Sequence, residues 1–542
     1  VGDEKSPEPN IPPPTAITGS APPPRPREDL SEWDQPLRPG PEPAPTTHPP
    51  AIWYFFWGEF AERSSYYGMR AILFIYLTHT LRFSDTEATP IYSAFKMACY
   101  FLPLLGGYIA DRFLGRYWTI VGFSVPYVVG HFVLGIQNNM ALLIALMLLA
   151  GGSGVIKPNI STLMGQTYDK LRPGQERLRS SAFLWFYLAI NIGALISQLA
   201  MPVLRDNFGP SLAFQFPAWL MVVSLGVFAA GKRHYVDEIP KWTWSSVWVL
   251  VGVVWLLAAS GGLYYYFHTI WAIAPLWGLM LLAIVVWGVI RYQGLDDETR
   301  ARVWGQGTLL ARLFGIFGLI IFFWVAYEHN DTLWIAFTRD YVNLKIPGVG
   351  LYISPDQLQF INALFVIICV PLFNAVYKKY DPNVKIFTPM RKIMAGFLLT
   401  AAAAGIVALA GMFAQPHVAF ATPAPHQAGI VGGFIANTPV EMCTAKVSML
   451  WIVLAYIVLT VGEVLLYATA LELAYAAAPK TMKGMVTAVF LLTNTLGNFI
   501  NTQWTPYYGG SLVDPVKERG TLMPLQFFGY SAAIVVVAAA VF

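Results

Sequence analysis

The sequence predicts an all-α polytopic membrane protein: two six-helix bundles, two accessory helices between them and a disordered N-terminal tail. Three observations carry this. The 542 residues are 56% hydrophobic and only 12% charged, more apolar surface than a water-soluble globule can bury. Apolar runs of roughly the 20 residues that one helical crossing needs recur from Ala51 to the last residue, Phe542. Lysine and arginine gather in alternate connections between those runs.

Residues 1–50 are rich in proline, glutamate and small polar residues and lack the charged start and apolar core of a cleavable signal. They read as a disordered cytoplasmic tail, with the first span acting as its own targeting signal. Spans follow at 52–79, 90–111, 117–136, 140–164, 180–203, 213–231, 245–267, 270–291, 308–337, 356–379, 389–413, 446–476, 483–503 and 524–542, an even number. The cationic connections hold Arg112 and Arg116; Lys170, Arg172, Arg177 and Arg179; Lys232 and Arg233; Arg291, Arg300 and Arg302; Lys378, Lys379 and Lys385; and Lys480 and Lys483. By the positive-inside rule these loops and both termini face the cytoplasm; the membrane is expected to be the plasma membrane, the cell's inner membrane. Six plus two plus six is one division: a bundle over 51–232, an accessory pair over 244–292 and a second bundle over 307–542. Two such bundles facing a midplane cavity can rock against each other. The Gly-, Pro- and Thr-rich outside loop 414–445 reads either as a small hairpin or as a flexible connector.

The net charge of +4 is small for this length and asks for no nucleic acid or other polyanion. Cys99, Cys369 and Cys443 show no metal spacing, so neither a metal site nor a disulfide framework is expected, and no cofactor. Nothing calls for an obligate dimer, and a monomer among membrane lipids is expected.

Ionisable side chains within spans cost on the order of 2.5–3.5 kcal/mol each at the helix centre and mark functional positions. In the first span, Glu59, Glu62, Arg63, Tyr66 and Arg70 stand at offsets that share one helical face. Glu59 and Arg63 form an i,i+4 pair that holds only while the carboxylate is ionised, so an arriving proton releases the arginine. The plainer reading, an ion pair that only fixes packing, is less favoured because four charges and a phenol share that face. Lys157, in Gly151-Gly-Ser-Gly-Val-Ile-Lys157-Pro158, needs a partner or snorkels to the inner interface. Glu328 and Glu463 are carboxylates embedded in apolar helices of the second half, with water access from the outer end as the plainer reading of each. His329 and Glu472 are expected to be solvated or hydrogen-bonded.

These residues resemble the proton-dependent oligopeptide transporter (POT/PTR) family of the major facilitator superfamily, from Trp57 onward. Glu59-Phe-Ala-Glu62-Arg63-Ser-Ser-Tyr66-Tyr67-Gly-Met-Arg70 is similar to the family's first-helix ExxER motif with its trailing tyrosines and arginine. Gly106-Gly107-Tyr-Ile-Ala-Asp111-Arg112-Phe-Leu-Gly115-Arg116 resembles the superfamily's loop motif, and Phe186-Tyr187-Leu-Ala-Ile-Asn191-Ile-Gly193-Ala194 the family's fifth-helix signature. The resemblance implies the major-facilitator fold and a proton-coupled symporter of di- and tripeptides. It implies proton coupling at Glu59, Glu62, Arg63, Lys157 and Glu328. Arg70 and Lys157 would meet the peptide carboxylate and Glu463 its amino terminus. Asn191 and Asn362 would hydrogen-bond the backbone, and Tyr66, Tyr67 and Tyr100 would line the cavity. Fixed opposite charges suit the two ends of a zwitterion, while amides read only its shared backbone. Departures are Ser64 where the family usually has Phe, His329 for Gln, Phe490 for Trp, Tyr467-Ala468 for Ser-Pro, and Glu472; they leave the motif core intact but bear on the second-half pocket wall.

The runner-up is a carrier of another small solute, an amino acid or nitrate; Glu59, Glu62 and Glu463 argue against an anion site. A transport-inactive peptide sensor is the alternative from another class. An enzyme is not expected, because no nucleophile and base stand at a workable spacing.

Overall fold

The computed structural model describes residues 47–236, 243–252, 292–294, 296–346, 350–381, 386–421, 440–477, 483–514 and 519–542, with a few isolated positions besides. The tail up to residue 46, most of the expected accessory pair 244–292 and the tip of the 414–445 loop lie outside the described residues.

The first bundle is α1 (Ala51–Ile75), α2 (Asp85–Ile109), α3 (Gly115–Leu134), α4 (Asn139–Leu171), α5 (Glu176–Phe208) and α6 (Pro210–Ala230). The second is built from α7 (Asp297–Tyr327), the short α8 (Leu333–Tyr341), α9 (Phe360–Tyr380), α10 (Pro389–Ala414), α11 (Leu450–Glu463) with α12 (Thr469–Ala477), α13 (Lys483–Trp504) and α14 (Pro524–Val541). Among the described residues, nine helices are long and apolar enough to cross a membrane.

Local chemistry sets the boundaries. Ser84 and Glu87 form a capping box at the start of α2, and Asn138 caps α4 by accepting from the Ala141 amide at 2.7 Å. Thr388 followed by Pro389 starts α10. Gly209, at φ +83°, makes the tight turn from α5 to α6 that a side chain would strain. The expected single span 308–337 is corrected: α7 begins earlier, at Asp297, and stops at Tyr327, where Glu328–Asp331 tighten into a 3₁₀ turn before α8. Asn330, Asp331 and Thr332 favour such local turns over a continuing helix. The hairpin reading of loop 414–445 holds at its base, where β2 (Val418–Ala421) pairs antiparallel with β3 (Val440–Cys443). A second short ladder joins β1 (Val342–Asn343) to β4 (Val447–Ser448) in parallel.

Each bundle has its own apolar core. One includes Ile72, Phe74, Tyr127 and Met164; the second divides into an upper cluster around Trp334, Tyr456 and Phe527 and a lower one around Phe317, Phe397 and Phe490. Outward faces carry large apolar residues such as Met147, Trp219 and Val223, suited to lipid rather than water. Close helix approach rests on small residues. A Cβ on Gly497 of α13 would lie 2.4 Å from the Cβ of Trp324 on α7. Gly497→Ala is therefore expected to destabilise the second bundle by about 1–3 kcal/mol, read as a lower midpoint in thermal unfolding in detergent.

Candidate functional site

The bundles meet along α2–α13 and α5–α9, and the side chains that the sequence singles out lie on the helices flanking this seam. On α1, Arg63 is 1% exposed and pairs with both neighbouring carboxylates, at 3.1 Å from Glu59 Oε1 and in direct contact with Glu62 Oε2. The i,i+4 spacing of Glu59 and Arg63 thus gives the expected pair, and Glu62 joins it. Above this cluster, the Arg63 guanidinium lies 5.4 Å from the Tyr66 ring centre, and Arg70 lies 5.9 Å from Tyr66 and 5.0 Å from Tyr67. The helix thereby presents a continuous column of cations, carboxylates and phenols.

Lys157 does not snorkel out. Its ammonium sits 5.0 Å from the Tyr100 ring centre and within electrostatic reach of Glu59 and Glu62. Asn191 on α5 donates back to the Tyr187 carbonyl at 2.8 Å. In the second bundle, Asn362 of α9 donates to Glu463 Oε2 at 2.7 Å and to Thr460 Oγ1 at 3.1 Å. Three of the five residues expected to meet the peptide's ends and backbone have polar partners: Asn362 and Glu463 each other, and Arg70 the Asp331 carboxylate.

Glu328 is not an outer-end residue in water. It is 2% exposed, its Oε2 contacts the Lys96 ammonium, and its Oε1 accepts from Asn494 at 2.8 Å. The same lysine reaches Asp331 Oδ2 at 2.6 Å, and Asp331 Oδ1 lies 3.2 Å from Arg70. Lys96 and Asp331 escaped the sequence reading, although the argument applied to Glu59, an ionisable group inside an apolar run, points to Lys96 as well. His329 is buried rather than solvated, at 0% exposure; neither ring nitrogen makes a hydrogen bond of normal geometry, and the Asn501 side chain is its looser polar partner.

Further ion pairs join the bundles at the end away from the cationic loops. Arg339 on α8 grips Asp85 at the start of α2 with two contacts, 2.7 and 3.1 Å, and also holds Asp340 at 2.8 Å. Both oxygens of Asp514 accept from the Asp85 amide at 3.1 Å. Arg205 at the end of α5 pairs with Asp356 and reaches Ser354 at 3.3 Å. Two backbone contacts add to these: Gln359 to the Ala71 carbonyl at 3.3 Å and Gln357 to the Leu199 carbonyl at 3.0 Å. Buried ion pairs with satisfied lone pairs specify one arrangement more than they stabilise it; here they specify closure of that end.

The chain matches a family described as the POT family over residues 117–511. It is 31% identical over 379 residues to solute carrier family 15 member 2 of Danio rerio, covering 66% of this chain and 49% of that protein. It is 32% identical over 373 residues to peptide transporter family 1 of Drosophila melanogaster, covering 66% and 47%. The chain spans about half the length of these relatives. Among solved structures, it matches the POT family transporter PepTSo with a TM-score of 0.70 and 27% identity, over 92% of this chain and 97% of that one. It also matches a peptide transporter POT in complex with sulfate, with a TM-score of 0.71 and 24% identity over 92% and 95%, a likeness of fold.

Proposed function

Because the chain belongs to the POT family, we infer that it is a proton-coupled symporter that imports di- and tripeptides by alternating access. The observation that carries this reading is that each bundle holds a charge system within its membrane-spanning helices, buried on α1 and half-buried between α9 and α11. Glu59, Glu62 and Arg63 on α1, with Lys157 nearby, form one; Glu463 with Asn362 forms the other. Tyrosines 66, 67 and 100 stand around the first. A zwitterion of variable side chain is held by such an arrangement: Arg70 and Lys157 take its carboxylate, Glu463 its ammonium, and Asn191 and Asn362 its backbone.

With the cationic loops facing the cytoplasm of a plasma membrane, the end closed by Arg339–Asp85 and Arg205–Asp356 is read as the outer one, which suits an inward-facing state. The cycle then runs as follows. With the outer end open, peptide and proton enter. Protonation of Glu59 or Glu62 frees Arg63, and protonation of Glu328 frees Lys96, so the charges regroup around the peptide and the outer pairs form. The bundles rock, and both cargoes leave inward. One elementary charge moved through about 100 mV is worth roughly 2.3 kcal/mol, enough for about a fifty-fold gradient of a neutral solute.

The site assignment is tested by counterflow of labelled di-alanine in proteoliposomes. Unlabelled di- and tripeptides should compete, whereas alanine and nitrate should not. Glu463→Gln should raise KM by about 10- to 100-fold, the worth of one charged hydrogen bond. Competition by alanine at peptide-like concentrations, with Glu463→Gln unchanged, would point to a free amino acid instead.

A further inference from the structure

His329 begins with a conflict. Buried polar groups in folded proteins are hydrogen-bonded, to water if not to protein, yet neither nitrogen of this fully buried ring makes a hydrogen bond of normal geometry to protein, with only a looser contact to the Asn501 side chain. The ring packs 5.2 Å from the Phe527 ring and 6.2 Å from Phe528, centre to centre, and faces the side chain of Asn501.

Asn501 repeats the pattern, with both its amide nitrogen and its oxygen buried and without a hydrogen bond of normal geometry, and so does the Asn498 oxygen. Asn494, Asn498 and Asn501 stand four and three residues apart on α13, and so share one face of that helix. The face is linked by hydrogen bonds at its lower end. Asn498 Nδ2 donates to Asn494 Oδ1 at 3.0 Å, and Asn494 Nδ2 donates to Glu328 Oε1 at 2.8 Å. A file of buried polar atoms thus runs from His329 to the carboxylate that pairs with Lys96, and its upper members lack such bonds. Each such atom costs about 1–3 kcal/mol unless satisfied, and a buried water typically satisfies about three.

We propose that His329, Asn498 and Asn501 enclose bound water and that this site delivers protons from the outer end to Glu328, with the imidazole as the group that carries them. One ring nitrogen takes a proton that arrives from the outer end and is relayed through the bound water, which stays neutral, and the imidazolium releases the proton on its other nitrogen towards Glu328. The ring is left neutral in the other tautomer, and exchange with the bound water restores the first. One proton enters and one leaves. Protonated Glu328 then lets go of Lys96. Of the side chains, imidazole alone titrates near neutral pH without a large perturbation; the asparagines cannot titrate and act by holding water.

The titratable groups around the ring do not compete for this role. Glu328 and Asp331 beside it in the chain are tied to Lys96 and Arg70. Farther off, Arg339 on α8 is tied to both Asp340 and Asp85, and Asp356 to Arg205. The faces that α13 and α14 turn to the ring are amides and phenyl rings.

The proposal rests on the symport reading, and two measurements separate their fates. In proteoliposomes, His329→Gln keeps a hydrogen-bonding side chain but cannot titrate. It should lower the initial rate of proton-driven di-alanine uptake by about tenfold or more and flatten the dependence of that rate on external pH. Peptide counterflow, which needs no net proton movement, should stay within about twofold. Equal loss of both activities, or an unchanged pH profile, would overturn the role of the imidazole. Independently of any substrate, X-ray hydroxyl-radical footprinting labels side chains beside bound internal water. Phe527 and Phe528 should be labelled despite their burial, and Asn501→Leu should abolish the label. No label on the wild type would overturn the hydrated site. A wild type that is labelled but moves no peptide would overturn the symport reading and leave the hydrated site standing.

Discussion

Lys96→Met is expected to destabilise the protein by about 3–5 kcal/mol, the usual result of removing one partner from a buried ion pair. Lys96 is the cation for two carboxylates at once, Glu328 and Asp331. Without it, Asp331 keeps only Arg70 at 3.2 Å, and Glu328 keeps only the neutral amide of Asn494. The loss should appear as a large drop in the thermal midpoint of purified protein, together with loss of peptide accumulation. The double variant Lys96→Met/Glu328→Gln should recover part of the stability, because it removes the carboxylate that Lys96→Met leaves without a cation. A midpoint that does not move in the single variant would show that the carboxylates are solvated in the resting protein.

The second large effect is a pH dependence at the outer end. Asp514 lies in the connection between α13 and α14. Burial first, and the charge of neighbouring Asp85 second, push its carboxyl up to about 7. Freed into water, an aspartate titrates near ~4. Between about pH 4 and 7, the closed end therefore holds a proton that the open end releases. Closure is favoured as the pH falls through about 7 and weakened above it. External acid would thus favour the inward-facing state, in step with a proton-driven import cycle. Spin labels at Glu87 and Tyr507, on the two sides of this end, should report a larger short-distance fraction at pH 5.5 than at pH 8. Asp514→Asn, which keeps the side chain neutral, should remove most of the difference, while Arg339→Gln should favour the long distance at both pH values by stranding Asp85 and Asp340.

Much of this architecture was legible in the sequence because membranes leave few options: apolar runs must be helices, and charges within them must be explained. The α1 cluster followed directly, since Glu59, Glu62 and Arg63 are neighbours on one helix and local spacing decides their contact. Glu328 and Glu463 could be singled out, but their partners could not. Lys96 lies 232 residues from Glu328 and Asn362 lies 101 from Glu463, and helical periodicity says nothing about which helices face each other. The outer pairs were harder still. Arg205, Arg339 and Asp356 fall at the ends of apolar runs, where a charge ordinarily meets water. They are buried only because the opposite bundle covers them. The burial of His329 was out of reach for the same reason, since it depends on α13 and α14 and not on its own helix. The break at Glu328–Asp331 was written in Asn330, Asp331 and Thr332, but the apolar run on either side outweighed it.

The central claim is that a proton gradient drives peptide through this protein. It is tested most directly by loading proteoliposomes so that an inward proton gradient and a negative-inside potential face labelled di-alanine, with wild type and Glu59→Gln compared side by side. The account predicts accumulation above equilibrium in the wild type, collapse of that accumulation when an uncoupler is added, and no accumulation with Glu59→Gln, which cannot pass through the charged state that holds Arg63. Wild-type uptake that only reaches equilibrium, unaffected by the uncoupler or by the substitution, would contradict it.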